Sequence, residues 1–243
     1  MSGIDRSLAR LFDADGRIFV VALDHPQTFG VMSGLENPEA ALARCASPRI
    51  DGFILNIGMA GLMSSRPLLR KKLILRTSLG SSMLASSYTN VHANVVSPES
   101  AIGAGADAVL MMLVIGGEDH HSMQQVARDI DAYHRAGLPC IVEILAADFM
   151  RTNDTDIQMN GARIAAEIGA DAVKAFYTQD FDKVVAGCPA PVILAGGPKG
   201  EDIQVIAREA VRAGVRGFAF GRNLFQHREP AVLIASLDAI LRG

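Results

Sequence analysis

Near the end of the short apolar run at residues 170–175, Ala-Asp-Ala-Val-Lys-Ala, stands a lysine that needs a chemical explanation. An ammonium seldom enters an apolar interior, because burial penalises its charge or drives its pKa down. Lys174 therefore has either a partner or a task. Apolar neighbours such as Val173 and Phe176, or a cation such as Lys199, would depress its pKa and expose a nucleophilic amine. Such an amine condenses with a ketone to an iminium, an electron sink that permits carbon–carbon cleavage beside it. The competing reading is a lysine that snorkels to a rim or pairs with Glu143.

Other side chains invite the same double reading. Asp24-His25 places a carboxylate and an imidazole side by side after an apolar run. They either orient a hydroxyl and shuttle a proton, or Asp24 caps a turn and His25 is a loop residue. Glu143 alternates with Ile141 and Leu145, so it is either a buried partner for Lys174 or a proton-transfer group. Two glycine loops, Gly196-Gly197-Pro198-Lys199-Gly200 and Gly221-Arg222-Asn223, suit a phosphate, since backbone N–H groups can approach an oxyanion and Arg222 adds a guanidinium. Tight turns alone would also explain them. His120-His121 lacks a third ligand one turn on and reads as a solvated helix start. His134 and His227 read as surface groups or dipole partners.

Positioning these groups requires a repeated unit. Continuous apolar runs at 18–23, 50–56, 72–77 (where the strand ends with Arg76), 107–113, 140–145, 170–175, 192–195 and 217–220 read as strands. Helical patterns fill the gaps, notably 119–135, with Met123, Val126, Ile130 and Tyr133 on one face, then 154–168, 200–213 and the C-terminal segment. Gly105-Ala106-Asp107, Gly169-Ala170-Asp171 and Gly214-Val215-Arg216 each close a helix and enter the next strand. This α/β pattern predicts a single (β/α)8 TIM barrel over residues 1–243. A doubly wound open sheet fits less well without a Gly-x-Gly-x-x-Gly after the first strand. Residues 78–97, rich in Ser, Thr and Asn, are expected at the catalytic rim, as a substrate loop or a poorly packed excursion.

Composition limits the partners. With 243 residues, net charge −3 and 49% hydrophobic residues, the chain can bury a large core and offers no basic stripe for nucleic acid. No apolar run approaches the ~18 residues of a membrane span, and no leader pattern precedes Ile18, so a cytoplasmic protein is expected. Cys45, Cys140 and Cys188 are scattered and fit small buried hydrophobes in a reducing compartment.

Four motifs taken in order carry a resemblance: Val21-Ala22-Leu23-Asp24-His25, Val173-Lys174-Ala175-Phe176-Tyr177-Thr178, Ala195-Gly196-Gly197-Pro198-Lys199 and Gly221-Arg222-Asn223-Leu224-Phe225-Gln226. The chain resembles the archaeal-type class I fructose-bisphosphate aldolases and their bacterial relatives. The resemblance implies a barrel with neither metal nor cofactor, a Schiff-base lysine at Lys174, a catalytic aspartate at Asp24, and a substrate phosphate held by Gly196, Gly197, Gly221 and Arg222. It also implies a homo-oligomer, often of ten subunits. One departure stands out: Leu145 occupies the place where that family carries a proton-transferring tyrosine. Proton transfer then falls to Tyr177, Glu143, His25 or water.

The leading expectation is a Schiff-base aldolase acting on a phosphorylated ketose, with an aldehyde partner and dihydroxyacetone phosphate as product. Acyl or transaldol transfer on a related phosphorylated ketone, as in thiolase relatives, is the second. A phosphometabolite-binding barrel without catalysis is the third.

Overall fold

The computed structural model describes residues 3–65, 68–86, 92–196 and 201–243. Eight parallel strands close into a barrel: β1 (Ile18–Ala22), β2 (Gly52–Asn56), β3 (Lys72–Arg76), β4 (Ala108–Ile115), β5 (Cys140–Ala146), β6 (Ala172–Ala175), β7 (Val192–Leu194) and β8 (Gly217–Phe220). Closure is made by β8 returning to β1, with Ile18 opposite Gly217 and Val21 opposite Phe220. That pairing needs a residue without a side chain at its start, because a Cβ on Gly217 would fall 2.2 Å from the Ile18 carbonyl oxygen. Each of the eight apolar runs becomes one of these strands, and the open-sheet alternative is excluded.

Period-two alternation divides the strands between two cores. Ile18, Val20, Ile54, Ile74, Leu110 and Ile141 pack with their neighbours as one cluster inside the barrel. Intervening residues such as Phe19, Phe53, Leu73 and Val142 belong to a second cluster between the strands and the outer helices. The first helix, Gly3–Leu11, with Phe12 after it, sends Leu8, Leu11 and Phe12 into the inner cluster. The N-terminal mouth is thus filled with hydrocarbon, and polar inward positions occur at the other end.

The helices that alternate with the strands include His120–Arg135, Thr155–Glu167, Ile203–Ala213 and Pro230–Arg242. Gly105, Gly169 and Gly214 adopt the left-handed φ values expected where the chain leaves a helix for a strand. Within the stretch 78–97, of which residues 87–91 lie outside the described residues, Ser78–Leu79 pairs antiparallel with Ala93–Asn94, making a small ribbon on the rim after β3. His134 is half-buried in the last turn of the helix His120–Arg135 and has a carboxylate partner. Its Nε2 lies 2.8 Å from Asp171 Oδ2, because the helix before β5 ends beside the turn that enters β6. All three cysteines are buried. Among the described residues no helix is long and apolar enough to cross a membrane.

Candidate active site

Strand parity decides which polar residues meet. Counting in twos from the buried Ile74, Ile141 and Ala172 leads to Arg76 on β3, Glu143 on β5 and Lys174 on β6, all pointing into the barrel near its C-terminal end. Glu143 and Lys174 are register partners across β5 and β6, and Glu143 Oε1 lies 2.6 Å from Lys174 Nζ. Arg76 Nη2 donates to Glu143 Oε2 at 2.5 Å, and Arg76 Nε donates to Asp24 Oδ2 at 2.8 Å. Asn56, at the end of β2, donates to the Asp24 carbonyl at 2.8 Å. Lys174, Glu143, Arg76 and Asp24 form one buried chain of alternating charge from β6 to the end of β1.

Burial by itself would raise Asp24, but Arg76 and Lys174 beside it hold the carboxyl far below the usual range. Glu143 is also pushed up by burial and pulled down further by Lys174 and Arg76. Burial disfavours the Arg76 guanidinium, and the two carboxylates more than restore it. Both acids are therefore ionised and both bases have a counter-charge. Placing four charges in a dry interior is a poor route to stability, since desolvation offsets much of the Coulomb gain. Such clusters at the C-terminal mouth of a barrel mark chemistry.

This setting differs from the apolar pocket that Val173 and Phe176 suggested around Lys174. Val173 points outward into the helix-facing core, and only Phe176 joins Lys174 in lining the cavity. Lys199 and Gly197 lie outside the described residues. Leu145 continues the inward row from Glu143 and lines the same cavity, so its apolar side chain stands where a hydroxyl was sought.

His25 lines the cavity with its Nδ1 3.6 Å from Asp24 Oδ1, and burial lowers its pKa to about 4. Its ring meets Phe225 edge-on at 5.3 Å and lies over Gly221, where a Cβ would approach within 2.2 Å of the imidazole. The close approach of His25 is thus a reason for glycine at 221 beside any contact with a ligand. Asp24 does not cap the turn through its side chain, which is engaged by Arg76. Arg222 is exposed and also lines the cavity. Gly196 has φ +132 and accepts at its carbonyl from Tyr177 N at 2.8 Å.

Tyr177 is the one candidate that the geometry takes out of the site. It follows the inward Phe176, so it faces outward, and its hydroxyl donates to Glu209 on the helix Ile203–Ala213. With its proton committed there and its pKa raised to about 12, first by burial and then by Glu209, Tyr177 has no access to Lys174. Among the ionisable residues lining the cavity, two had no role assigned from sequence, Arg76 and His92. The inward parity of Arg76 was readable from Ile74. His92 gave no such signal, since only the ribbon returns it to the rim.

A family model described as DeoC/LacD family aldolase matches residues 18–227. An uncharacterised aldolase of Saccharolobus solfataricus is 31% identical, over 99% of this chain and 95% of its own length. A 3-hydroxy-5-phosphonooxypentane-2,4-dione thiolase of Klebsiella pneumoniae is 30% identical, over 98% of this chain and 81% of its own. Among solved structures, an archaeal fructose-1,6-bisphosphate aldolase whose catalytic lysine is bound to a carbinolamine intermediate superposes with TM-score 0.87 at 27% identity, covering 99% of this chain and 100% of that one. A Schiff-base-forming fructose-1,6-bisphosphate aldolase superposes with TM-score 0.84 at 29% identity, covering 98% and 99%. The chain shares the fold of the Schiff-base aldolases.

Proposed function

The chain belongs to the DeoC/LacD aldolase family, and from that premise we propose that it is a class I aldolase using Lys174 on a phosphorylated ketose. It is a lyase by family, which sets aside the non-catalytic barrel. The observation that carries the assignment is the buried Lys174–Glu143 contact of 2.6 Å inside the C-terminal mouth. Glu143 takes a proton from the Lys174 ammonium, and the freed amine attacks the ketone carbon. Loss of water from the resulting carbinolamine leaves the iminium. Arg76 fixes Asp24 and Glu143 relative to one another, and Asp24 orients a substrate hydroxyl.

Arg222, with Gly196, Gly197 and Gly221, forms the phosphate end of this reading, supported by their place after β7 and β8, where barrels commonly bind phosphate. Dihydroxyacetone phosphate is the product expected from a ketose with its phosphate at that end. The reading treats residues 1–243 as one barrel domain that self-associates, which light scattering would test.

Borohydride reduction in the presence of dihydroxyacetone phosphate should trap an adduct on Lys174, seen by peptide mass spectrometry, and Lys174→Met should abolish it. An adduct elsewhere, or none, overturns the assignment. Acyl transfer to a thiol acceptor is the second reading, favoured by Leu145 in the cavity and by the similarity to a thiolase. Cleavage at the same rate with and without coenzyme A would remove it.

A further inference from the structure

We propose that His92 is the proton-transfer group of this site, an inference that rests on the Schiff-base reading of Lys174. Other nearby groups are engaged elsewhere or turned away. Leu145 carries no exchangeable proton, and Tyr177 faces outward. Glu143 uses one oxygen for Lys174 and the other for Arg76. Asp24 Oδ2 accepts from Arg76. His25, whose Nδ1 lies 3.6 Å from Asp24 Oδ1 without a hydrogen bond, is turned toward Gly221 and Phe225 at the β8 side of the mouth.

His92 has the opposite character. It is 6% exposed, lines the cavity that holds Lys174 and Glu143, and among the described residues neither ring nitrogen has a hydrogen-bond partner. Buried polar atoms are nearly always paired, so two unpaired on one ring call for a ligand or a reaction. The ribbon at 78–79 and 93–94 holds the ring in place, and a Cβ at Gly80 would stand 2.6 Å from its Cε1. His92 also borders a second cavity of about 610 Å³ whose lining includes Gly116, Asp119, His121 and Arg128. The ring therefore stands between the reacting centre and a groove through which it can exchange protons with solvent.

Burial, with Arg76 adding to it and Glu143 opposing, lowers the imidazole to about 4, so it is neutral near pH 7 and able to accept a proton. On the groove side it faces Asp119, His121 and Arg128. During cleavage the electron pair of the breaking carbon–carbon bond moves into the Lys174 iminium and gives the enamine. The hydroxyl on the departing carbon passes its proton to His92 and becomes the aldehyde carbonyl. The His92 imidazolium then protonates the enamine carbon, restoring the iminium, which water hydrolyses to ketone and the Lys174 ammonium. Protons and electrons balance without another reagent.

Dihydroxyacetone phosphate alone tests this, because its iminium must lose and regain a carbon-bound proton by the same group. In deuterium oxide, His92→Gln should keep the borohydride adduct on Lys174 at the wild-type yield. Deuterium uptake into dihydroxyacetone phosphate should slow by about 100-fold or more, the lower end of what a positioned acid–base group supplies. His92→Ala should behave likewise, with uptake partly restored by added imidazole. Uptake within about threefold of wild type in both variants, or loss of the adduct in both, overturns the role of His92; a fall of this kind in His25→Gln but not in His92→Gln assigns the step to His25 instead. A wild-type protein that forms no adduct refutes the Schiff-base reading itself, and the role of His92 with it.

Discussion

Glu143 joins two cations in the barrel mouth, which makes it the residue whose loss is hardest to absorb. Glu143→Gln leaves Lys174 and Arg76 buried with one carboxylate, Asp24, between them. Breaking a buried pair from one side costs about 3–5 kcal/mol. Lys174→Met removes one charge yet leaves Glu143 paired with Arg76, so chemical denaturation should find it less destabilised than Glu143→Gln. Both variants should lose the borohydride adduct, the first because no base takes the lysine proton and the second because no amine is present. Equal stability of the two variants would contradict this arrangement. Lys174 and Glu143 were legible in the sequence because an ionisable residue inside an apolar run is conspicuous and their parity is countable. Arg76 was visible as a strand end, but its bridging role depends on β1, β3 and β5 curving toward a common axis, which no local pattern encodes.

At the scale of the elements, the aspartates that enter β2, β4 and β6 repeat one device. Asp51 Oδ2 accepts from Phe19 N at 2.7 Å, Asp107 Oδ2 from Leu73 N at 2.9 Å, and Asp171 Oδ2 from Cys140 N at 2.7 Å. Each carboxylate satisfies an N–H at the start of the preceding odd strand, β1, β3 or β5, and so helps set the register of an adjacent pair. Hydrogen bonds to charged groups contribute about 1.5–3 kcal/mol each. Asp107→Ala should therefore lower unfolding free energy by about that amount while leaving deuterium uptake into dihydroxyacetone phosphate unchanged, since the residue lies at the opposite end of the barrel from Lys174. The Gly-Ala-Asp spelling predicted the junctions into β4 and β6, though not that into β2, nor the reach of the aspartate, whose partner is over 30 residues away. The ribbon that positions His92 escaped notice for a related reason: its arms are two residues each, too short for a period, and they pair across the span from Ser78 to Asn94. Gly80→Ala probes it directly. A methyl group there displaces the His92 ring, so uptake should fall by roughly tenfold or more, with a melting temperature close to wild type. Undiminished uptake would show that the ribbon does not fix the ring.

For the whole molecule, barrel closure and acid stability are linked through what the barrel keeps neutral. The C-terminal helix returns Arg242 to Asp13 ahead of β1 and Asp51 ahead of β2, at 3.0 and 2.6 Å, tying the last element to β1, which closes against β8, and to its neighbour β2. The closed barrel in turn holds His92 buried and His25 half-buried, each lowered to about 4 chiefly by desolvation. An unfolded histidine titrates near 6.5. Between roughly pH 6.5 and 4 the unfolded chain therefore binds protons that the folded chain refuses, and stability falls as pH falls, by up to about 1.4 kcal/mol per pH unit for each histidine. The depressed carboxylates act in a lower window. Asp24 and Glu143 stabilise the fold fully above their unfolded pKa values near 4, and that contribution is lost as pH drops from there through the folded values. Unfolding free energies measured by denaturant from pH 7 to 4.5 should slope downward with acid, and His92→Gln should remove about one proton from that slope without altering the steeper loss below pH 4. A slope unchanged in His92→Gln would mean that its imidazole titrates in the folded protein as it does in the unfolded one, and would deny the neutral, buried ring on which its proposed chemistry depends.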